Sequence, residues 1–356
     1  MFIKKNKIKY LIVDKNKTIK DVLISLNRSS LPDKKMCIIT YKSKVLNVLT
    51  DGDVRRIMIN QKNLDEKISK YLQKKFIYGT LKETEIELNA KLKKYKIDFI
   101  PVLDKNKKLI SIFYKDYTFN NYKKKYSNEV FILAGGRGKR MFPLTDFTPK
   151  PLLSIGKETI LETLITLFKN QGFFNFTISV NYMSEQIINY IKEKKFTDVN
   201  INFVSENKKL GTAGPLSKMK MLSNKPVIVV NGDIYTRLNF FDLLNFHNKR
   251  KNEITIGSHF YNQEVPYGVI DNKARRHEII KEKPSFQYMI SAGIYVVNKK
   301  IIKKIKKNKF LNMNDLINYE FKKKTKIGIF PIHELWMDIG DHGSFINAQT
   351  KIDQEW

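Results

Sequence analysis

Three glycines and two cations lie close together after an apolar run. Gly135, Gly136 and Gly138 follow the run VFILA, and Arg140 and Lys150 come shortly after them. Glycines let backbone N–H groups approach an anion without a Cβ in the way, and the two cations add positive charge. The spacing therefore indicates a phosphate cradle at the end of a buried strand. A glycine-rich turn taken alone is also compatible with a dinucleotide-binding turn or an ordinary tight turn.

The residues around these glycines make the pattern far more specific. Leu133 through Pro151 match L-A-G-G-x-G-x-R-x-x-P-L-T-x-x-x-P-K-P at every specified position. This stretch resembles the signature of the sugar-1-phosphate nucleotidyltransferases. The resemblance implies that Arg140 and Lys150 are catalytic residues, which hold a triphosphate while pyrophosphate leaves. The nucleotide-binding residues that it implies are Leu133, Ala134, Gly135, Gly136 and Gly138.

A second glycine-containing motif, Gly211-Thr212-Ala213-Gly214, precedes a segment with helical spacing. From the residues alone, such a stretch is a helix N-terminus with its cap. In the family that the signature resembles, the form L-G-T-A-G-x-L recognises the nucleobase, which implies that Gly211 and Thr212 bind the nucleotide. The form is common among guanylyltransferases, and some thymidylyl- and uridylyl-transferring relatives share it. It favours guanine without deciding the base.

Two acids far apart in the sequence are candidates for a metal site. Asp233 ends the apolar run PVIVVNGD, a place where either a turn residue or a ligand-binding residue occurs. Asn231-Gly232-Asp233 resembles the metal-binding N-G-D of the same family, with Gly232 at the nucleotide, and Asp338 in WMDIG is the partner acid. The resemblance implies that Asp233 and Asp338 bind Mg²⁺, which prefers oxygen ligands and takes one or two carboxylates.

The segments VPYGVID, IIKEKP and SAGIYVVN resemble the sugar-side elements of the family, in the expected order. The resemblance implies that Lys283 is a catalytic residue that holds the sugar phosphate, and that Glu282 accepts hydrogen bonds from the sugar. Gly268 and Gly293 would permit close approach of the sugar. Ser291 stands where the family usually has Asn, which shortens a sugar contact. Taken alone, Glu282 and Lys283 would be a solvated pair.

The chain is predicted to comprise an N-terminal domain at 1–119, a polar linker at 120–128 and a catalytic domain at 129–356. Within the first domain, the halves 1–62 and 63–119 share a weak repeat. Each has an amphipathic helix, an apolar strand, a turn and a second strand that leads into another helix. The two halves resemble tandem CBS modules, a family that often binds adenine nucleotides.

The best local match to the CBS modules runs from Thr50 to Arg56. By that resemblance, Thr50 and Asp53 contact a ribose, so the CBS pair would bind an adenine nucleotide. Both residues are equally suited to a turn and a helix cap. The second half keeps an acid, Asp116, but has Phe113 where a hydroxyl is needed, which argues against a second nucleotide site.

Composition limits the other classes of function. The formal net charge is +31 over 356 residues, but the basic residues are mostly Lys and spread along the whole chain, which indicates a solvated surface rather than a nucleic-acid site. No apolar run approaches the roughly 18 residues of a membrane span. We expect a soluble, cytoplasmic protein that binds neither specific nucleic acid nor membrane. Cys37, the single cysteine, is predicted to be a small buried hydrophobe.

The predicted fold is α/β, a doubly wound, mixed but mostly parallel, Rossmann-like sheet preceded by the smaller α+β domain. CBS modules ahead of such a domain resemble the arrangement in guanylyltransferases of bacterial nonulosonic-acid synthesis. The resemblance implies Mg²⁺-dependent nucleotidyl transfer from a nucleoside triphosphate, with GTP favoured, to a sugar 1-phosphate, with glucosamine 1-phosphate favoured. We also expect a homo-oligomer.

Several alternatives to this function remain. Within the enzyme class, the sugar could be mannose, heptose or glucose 1-phosphate, and the nucleotide dTTP, UTP or CTP. A regulatory protein with an inactive, nucleotide-binding transferase domain is an alternative outside that class. A third possibility is a protein whose positive charge binds nucleic acid or an anionic surface, although the sequence shows no basic face with interleaved aromatics.

Overall fold

The computed structural model describes residues 2–4, 10–27, 36–60, 63–73, 76–95, 97–114, 125–194, 196–220, 222–270 and 280–353. The chain forms two units, Met1–Tyr122 with Asn262–Tyr288, and Lys123–Tyr261 with Met289–Trp356. Asp116 and residues 120–124 of the predicted linker lie outside the described residues. None of the helices in the described part of the chain has the length and apolar character that a bilayer crossing needs.

The N-terminal part of the first unit has two halves with the same order of elements. Its elements are β1 (Phe2–Lys4), β2 (Ile12–Asp14), α1 (Ile19–Asn27), β3 (Met36–Tyr41), β4 (Lys44–Thr50), α2 (Asp51–Asn60), a 3₁₀ helix (Ile68–Tyr71), β5 (Gly79–Thr80), α3 (Glu85–Tyr95), β6 (Phe99–Leu103) and β7 (Leu109–Tyr114). In the first half, β2 is parallel to β3 and β3 antiparallel to β4. In the second half, β5 is parallel to β6 and β6 antiparallel to β7. β1 pairs with β7.

The two halves share a core. Met36 and Ile38 of β3 are buried in one apolar cluster with Leu109 and Ile112 of β7. Cys37, on the same strand, is wholly buried, and its Sγ lies 3.2 Å from Ser25 Oγ. Burial raises the pKa of the Cys37 thiol to about 12. This cysteine is therefore the small buried residue that the sequence predicts.

The remaining elements continue in chain order. They are β8 (Tyr126–Leu133), β9 (Ser154–Ile155), β10 (Glu158–Thr159), α4 (Ile160–Asn170), β11 (Phe173–Val180), α5 (Ser184–Glu193), β12 (Asn200–Ser205), β13 (Val227–Asn231), β14 (Ile234–Thr236), α6 (Phe240–Arg250), β15 (Ile254–Glu264), β16 (Val269–Ile270), β17 (Ile280–Lys281), β18 (Ser285–Val297), α7 (Lys299–Ile302), α8 (Met313–Lys322), β19 (Ile327–Pro331), β20 (Trp336–Asp338) and α9 (His342–Asp353). β16 and β17 belong to the Asn262–Tyr288 segment of the first unit.

A seven-stranded sheet in the order β12-β11-β8-β13-β18-β15-β19 forms the centre of the second unit. β12, β11, β8 and β13 are parallel to one another, as are β15 and β19, whereas β18 is antiparallel to β13. The prediction of a mixed, mostly parallel α/β sheet is therefore confirmed.

Helices cover both faces of this sheet, because its central strands are apolar on both sides. Val130 and Ile132 of β8 are buried in one cluster with residues of α4, α5 and α6. Phe131, between them, is buried in a second cluster with residues of α7 and α8. Because β8, β11, β12 and β13 are parallel, their carboxyl ends meet at one edge of the sheet, where α/β proteins bind ligands.

Candidate active site

The glycine-rich loop after β8 is tightly packed at Gly138 and open at Gly136. Gly138 has a φ of +63°, which glycine adopts without strain, and an added Cβ would lie 3.0 Å from Thr145 Cγ2. The buried Thr145 hydroxyl donates to Gly138 O at 3.0 Å. At Gly136, an added Cβ would meet no atom of the described residues within 4 Å. The loop is therefore fixed at Gly138, and a ligand can approach its backbone at Gly136.

The two predicted catalytic cations of this region lie in short 3₁₀ helices, Lys139–Met141 and Lys150–Leu152. Lys150 is buried, and its ammonium donates to Asp233 Oδ2 at 2.5 Å. Asp233 comes two residues after the end of β13. The ion pair therefore joins the signature stretch to the carboxyl end of the neighbouring strand.

Asp233 and Asp338 lie side by side because β14 and β20 pair antiparallel. Ile234 is opposite Asp338 in this pairing, and Ile339 N donates to Asp233 O at 3.0 Å. Asp338 is exposed, yet the surrounding protein displaces part of its hydration, and this desolvation raises its pKa. The nearby Asp233 carboxylate raises that pKa further, whereas Lys150 and Arg140 lower it. The two predicted metal ligands are thus brought together.

Arg140 lies over the backbone that follows Asp338. An added Cβ at Gly340 would be 2.9 Å from Arg140 Nη2 and 3.4 Å from Asp338 Oδ1. Close by, His342 Nε2 lies 2.7 Å from Phe142 O, so the start of α9 is hydrogen-bonded to the signature loop. Arg140, Lys150, Asp233 and Asp338 therefore form one cluster of two cations and two carboxylates, which we call the charged cluster.

One carboxylate oxygen of the charged cluster is not used by the protein. Asp233 Oδ1 is buried and has no hydrogen-bond partner among the described residues, whereas Oδ2 accepts from Lys150. A buried carboxylate oxygen without a partner is costly unless a ligand or ion satisfies it. Divalent cations bind carboxylate oxygens, so Asp233 and its neighbour Asp338 fit such an ion.

Glu206, which the sequence analysis missed, lies at the same edge, directly after β12. Its Oε1 accepts from Ser179 Oγ at 2.6 Å and its Oε2 from Leu210 N at 3.0 Å. Glu206 Oε1 is also 3.2 Å from where a Cβ on Gly135 would stand. The available signal was an acid at the end of a strand, five residues before Gly211.

Gly211 and Thr212 contact the segment that leads into α8. Gly211 has a φ of +79°, and an added Cβ would lie 2.5 Å from Leu311 O. Met313 N, at the start of α8, donates to Thr212 Oγ1 at 2.7 Å. Gly214 begins a 3₁₀ helix, Gly214–Lys218, at the predicted helix N-terminus. In the structure, this motif packs against the start of α8 and caps it.

Three of the remaining predicted residues lie along the central strands. Gly232 N donates to Leu133 O at 2.8 Å, and Gly293, with a φ of +67°, packs against the side chain of Asn231. The Ser291 hydroxyl lies 2.9 Å from Tyr295 Oη, and burial raises the pKa of Tyr295.

The other sugar-side residues lie in the first unit, around the antiparallel pair β16 and β17. An added Cβ at Gly268 would be 3.2 Å from Glu282 Oε2, so these two residues are neighbours. Lys283 has a φ of +43°, and both Glu282 and Lys283 are exposed. The structure thus brings Gly268 and Glu282 together, while their contacts with a sugar phosphate stay a prediction.

Thr50 and Asp53 form a reciprocal cap at the start of α2. Asp53 Oδ2 accepts from Thr50 N at 2.8 Å and from Thr50 Oγ1 at 2.5 Å, and Asp53 N donates to Thr50 Oγ1 at 3.1 Å. Thr18 and Asp21 make the same contacts at the start of α1. Thr50 and Asp53 therefore have a structural role as a capping box, and their binding of a ribose remains a prediction.

The fold and the charged cluster define a class, an α/β domain with cations and carboxylates gathered at the carboxyl edge of its sheet, where such domains bind ligands. Within this class, the chain belongs to the nucleotidyl transferase family, whose sequence model matches residues 129–355. Enzymes of that family generally use a divalent metal.

Curated relatives are similar to this chain over about three fifths of its length. The mannose-1-phosphate guanyltransferase of Pichia angusta is 32% identical over 227 residues, which cover 61% of this chain and 62% of that protein. A putative mannose-1-phosphate guanyltransferase of Sulfolobus acidocaldarius is 30% identical over 213 residues, 59% of this chain and 58% of that one. The chain therefore spans less than two thirds of the length of these relatives.

A solved structure shows the same fold. HddC from Yersinia pseudotuberculosis, complexed with GMP-PN, matches with a TM-score of 0.51 and 24% sequence identity. The match covers 63% of this chain and 99% of HddC.

Proposed function

We propose that this chain transfers a nucleotidyl group from a nucleoside triphosphate to a sugar 1-phosphate. An oxygen of the sugar phosphate attacks the α-phosphorus, the bond from that phosphorus to the bridging oxygen breaks, and pyrophosphate leaves with the electron pair. The nucleophile is already an anion, so the reaction depends on alignment and charge neutralisation rather than on a general base. The observation that carries the proposal is the charged cluster beside the glycine-rich loop.

The side chains of the cluster suit this reaction. Arg140 and Lys150 would neutralise the triphosphate, and Gly136 would admit a phosphate or ribose to the backbone. Asp233 and Asp338 would hold Mg²⁺, which when bound stabilises negative charge on phosphate oxygens. Lys283 remains our proposed ligand for the sugar phosphate.

We propose GTP as the nucleotide, for two reasons. The curated relatives are named mannose-1-phosphate guanyltransferases. In addition, the half-buried Glu206 offers a carboxylate beside Gly135. The Watson–Crick edge of guanine carries adjacent N1–H and N2–H groups, which can donate two hydrogen bonds to one carboxylate. Uracil and thymine have a single N–H on the same edge. Ser179 and Leu210 fix this carboxylate in place.

For the sugar, we propose a hexose 1-phosphate, with glucosamine 1-phosphate expected from the N-terminal modules that resemble CBS domains. Mannose 1-phosphate is the second candidate, favoured by the names of the relatives. Ser291, which is shorter than the Asn usual in the family, leaves more space beside the sugar in either case. We further propose that the N-terminal unit binds an adenine nucleotide at Thr50 and Asp53, and that the enzyme is a homo-oligomer.

Pyrophosphate release tests this function directly. The full chain is assayed with Mg²⁺ and each of GTP, CTP, UTP, dTTP and ATP against glucosamine, mannose, glucose, heptose and N-acetylglucosamine 1-phosphates. Turnover confined to GTP with one hexose 1-phosphate supports the proposal and names the sugar. Turnover with another nucleotide keeps nucleotidyl transfer but refutes guanine, and no turnover with any pair refutes the function.

Two variants connect the turnover to the charged cluster. Asp233→Asn is expected to reduce kcat by a factor of about 100 or more, because it weakens the hold on the Mg²⁺ that would stabilise negative charge on the reacting phosphates. Lys225→Gln removes one charge from an exposed lysine near the opposite end of β13 and should turn over like the unmodified chain.

A further inference from the structure

Both carboxylates of the charged cluster have a protein cation close to them. The Lys150 ammonium is 2.5 Å from Asp233 Oδ2, and the exposed fractions of the two side chains are 9% and 26%. The Arg140 guanidinium and the Asp338 carboxylate both lie beside Gly340, where an added Cβ would be 2.9 Å from Arg140 Nη2 and 3.4 Å from Asp338 Oδ1. Asp233, the more buried of the two carboxylates, therefore has the closer cation, Lys150.

This arrangement opposes the binding of a divalent cation. An ion that binds Asp233 must either displace the lysine from Oδ2 or bind beside a fixed positive charge. Like charges a few ångströms apart repel strongly where water is partly excluded. Moving the Lys150 ammonium away leaves a buried charge without a partner, which is also costly. A polyphosphate changes this balance, because its oxygens offer the lysine a new anionic partner.

We propose that Lys150 acts as an internal competitor for the metal at Asp233, so that the cation binds well only together with the triphosphate. The proposal rests on the proposed function and adds an order of binding, in which the triphosphate is needed for tight binding of the cation. Without nucleotide, the ammonium neutralises Asp233. When the triphosphate arrives, Lys150 exchanges the carboxylate for phosphate oxygens, and both oxygens of Asp233 become available to the cation.

Equilibrium binding of Mn²⁺, followed by the paramagnetic signal of the free ion, tests the proposal without any turnover. The full chain is titrated in the absence of nucleotide as the unmodified protein, Lys150→Gln and Lys225→Gln. We expect Lys150→Gln to bind Mn²⁺ tighter by about tenfold or more, because one close positive charge is gone. Lys225→Gln controls for the same change in net charge at a distant place and should match the unmodified protein. Equal or weaker binding by Lys150→Gln overturns the proposal.

Two further variants keep the test decisive. Lys150→Met retains an apolar stem for the buried position and should also bind Mn²⁺ tighter, so it replaces Lys150→Gln if that variant does not fold. Adding Asp233→Asn to the lysine variant should abolish the gain, because the gain depends on that carboxylate. A gain that survives Asp233→Asn overturns the assignment to Asp233.

The outcomes also separate this proposal from the proposed function. If the unmodified chain turns over but neither lysine variant binds Mn²⁺ tighter, internal competition is refuted and the function stands. If the variants bind tighter but no substrate pair turns over, the function is refuted and the competition between Lys150 and the metal stands.

Discussion

Replacing Gly138 by alanine tests how the signature loop is held. The added Cβ would lie 3.0 Å from Thr145 Cγ2 and 3.2 Å from Lys150 Cβ, at a φ of +63°. The left-handed conformation costs a non-glycine residue about 1–2 kcal/mol. Crowding in a packed site adds about 1–3 kcal/mol. We therefore expect Gly138→Ala to destabilise the second unit by about 3 kcal/mol.

Thermal denaturation followed by tryptophan fluorescence measures this loss. Trp336 lies in β20 of the second unit, so its signal reports on the unit that contains Gly138. A loss of about 3 kcal/mol corresponds to a fall in Tm of roughly 6–12 °C for a unit of this size. Gly136→Ala is the matched control in the same loop, and its Tm should stay close to that of the unmodified chain because its Cβ meets open space.

A second substitution separates crowding from backbone strain. Thr145→Ser removes Cγ2 but keeps the hydroxyl that donates to Gly138 O. Alone it should cost about 1 kcal/mol for the lost methyl group. Combined with Gly138→Ala it should relieve the crowding, so that the double variant melts higher than the sum of the single losses predicts. Additive losses, or a Gly136→Ala variant as unstable as Gly138→Ala, would refute the reasoning.

Four further substitutions have expected outcomes. Glu206→Gln removes the charged acceptor for guanine and should raise the KM for GTP by about tenfold or more. Pyrophosphate release measures this KM, and an unchanged value would contradict a guanine contact. Burial lowers the pKa of His247 below its ordinary 6.5, so the folded state favours the neutral ring. The contribution of this residue to the free energy of unfolding therefore holds its full value above pH 6.5 and declines as the pH falls below it, because the unfolded chain binds the proton first. His247→Gln should therefore lose less Tm than the unmodified chain between pH 7.5 and 5.5; an equal loss would count against the buried neutral ring. Thr50→Ala and Thr18→Ala should each cost about 1 kcal/mol in urea denaturation followed by circular dichroism, because each removes one helix cap. Calorimetric titration with AMP should show binding lost in Thr50→Ala alone, and retained binding there would refute the ribose contact.

The sheet was predictable because its central strands carry continuous apolar runs. Val227 to Val230 are all buried, as expected for a strand covered on both faces. The antiparallel course of β18 was not predictable, because it depends on pairing between Val227 and Val297, which are far apart in the sequence. A parallel or an antiparallel partner would bury the same apolar side chains, so the residue pattern does not distinguish them.

The proximity of Arg140, Lys150, Asp233 and Asp338 could be expected from the motifs that carry them. The contact that Thr145 makes and the position of Glu206 were missed, for different physical reasons. Thr145 is wholly buried only because the loop folds back on Gly138, a contact that no periodic pattern indicates. Glu206 stands in the polar run SENKK, where an acid looks like a solvated residue, and its partners Ser179 and Leu210 come from two different segments.

Several glycines of the predicted site contact protein rather than open space, and this bears on how far a motif match indicates chemistry. An added Cβ would lie 3.1 Å from Asn181 Cβ at Gly135, 2.8 Å from Leu133 O at Gly232, and 2.6 Å from Asn231 Nδ2 at Gly293. These three glycines let neighbouring strands and loops pack closely, and that packing aligns the strand ends. Because Asp233 follows the aligned strand β13, its ion pair with Lys150 depends on the same close packing. The glycines thus position the charged cluster, and the chemistry follows from the charges they bring together.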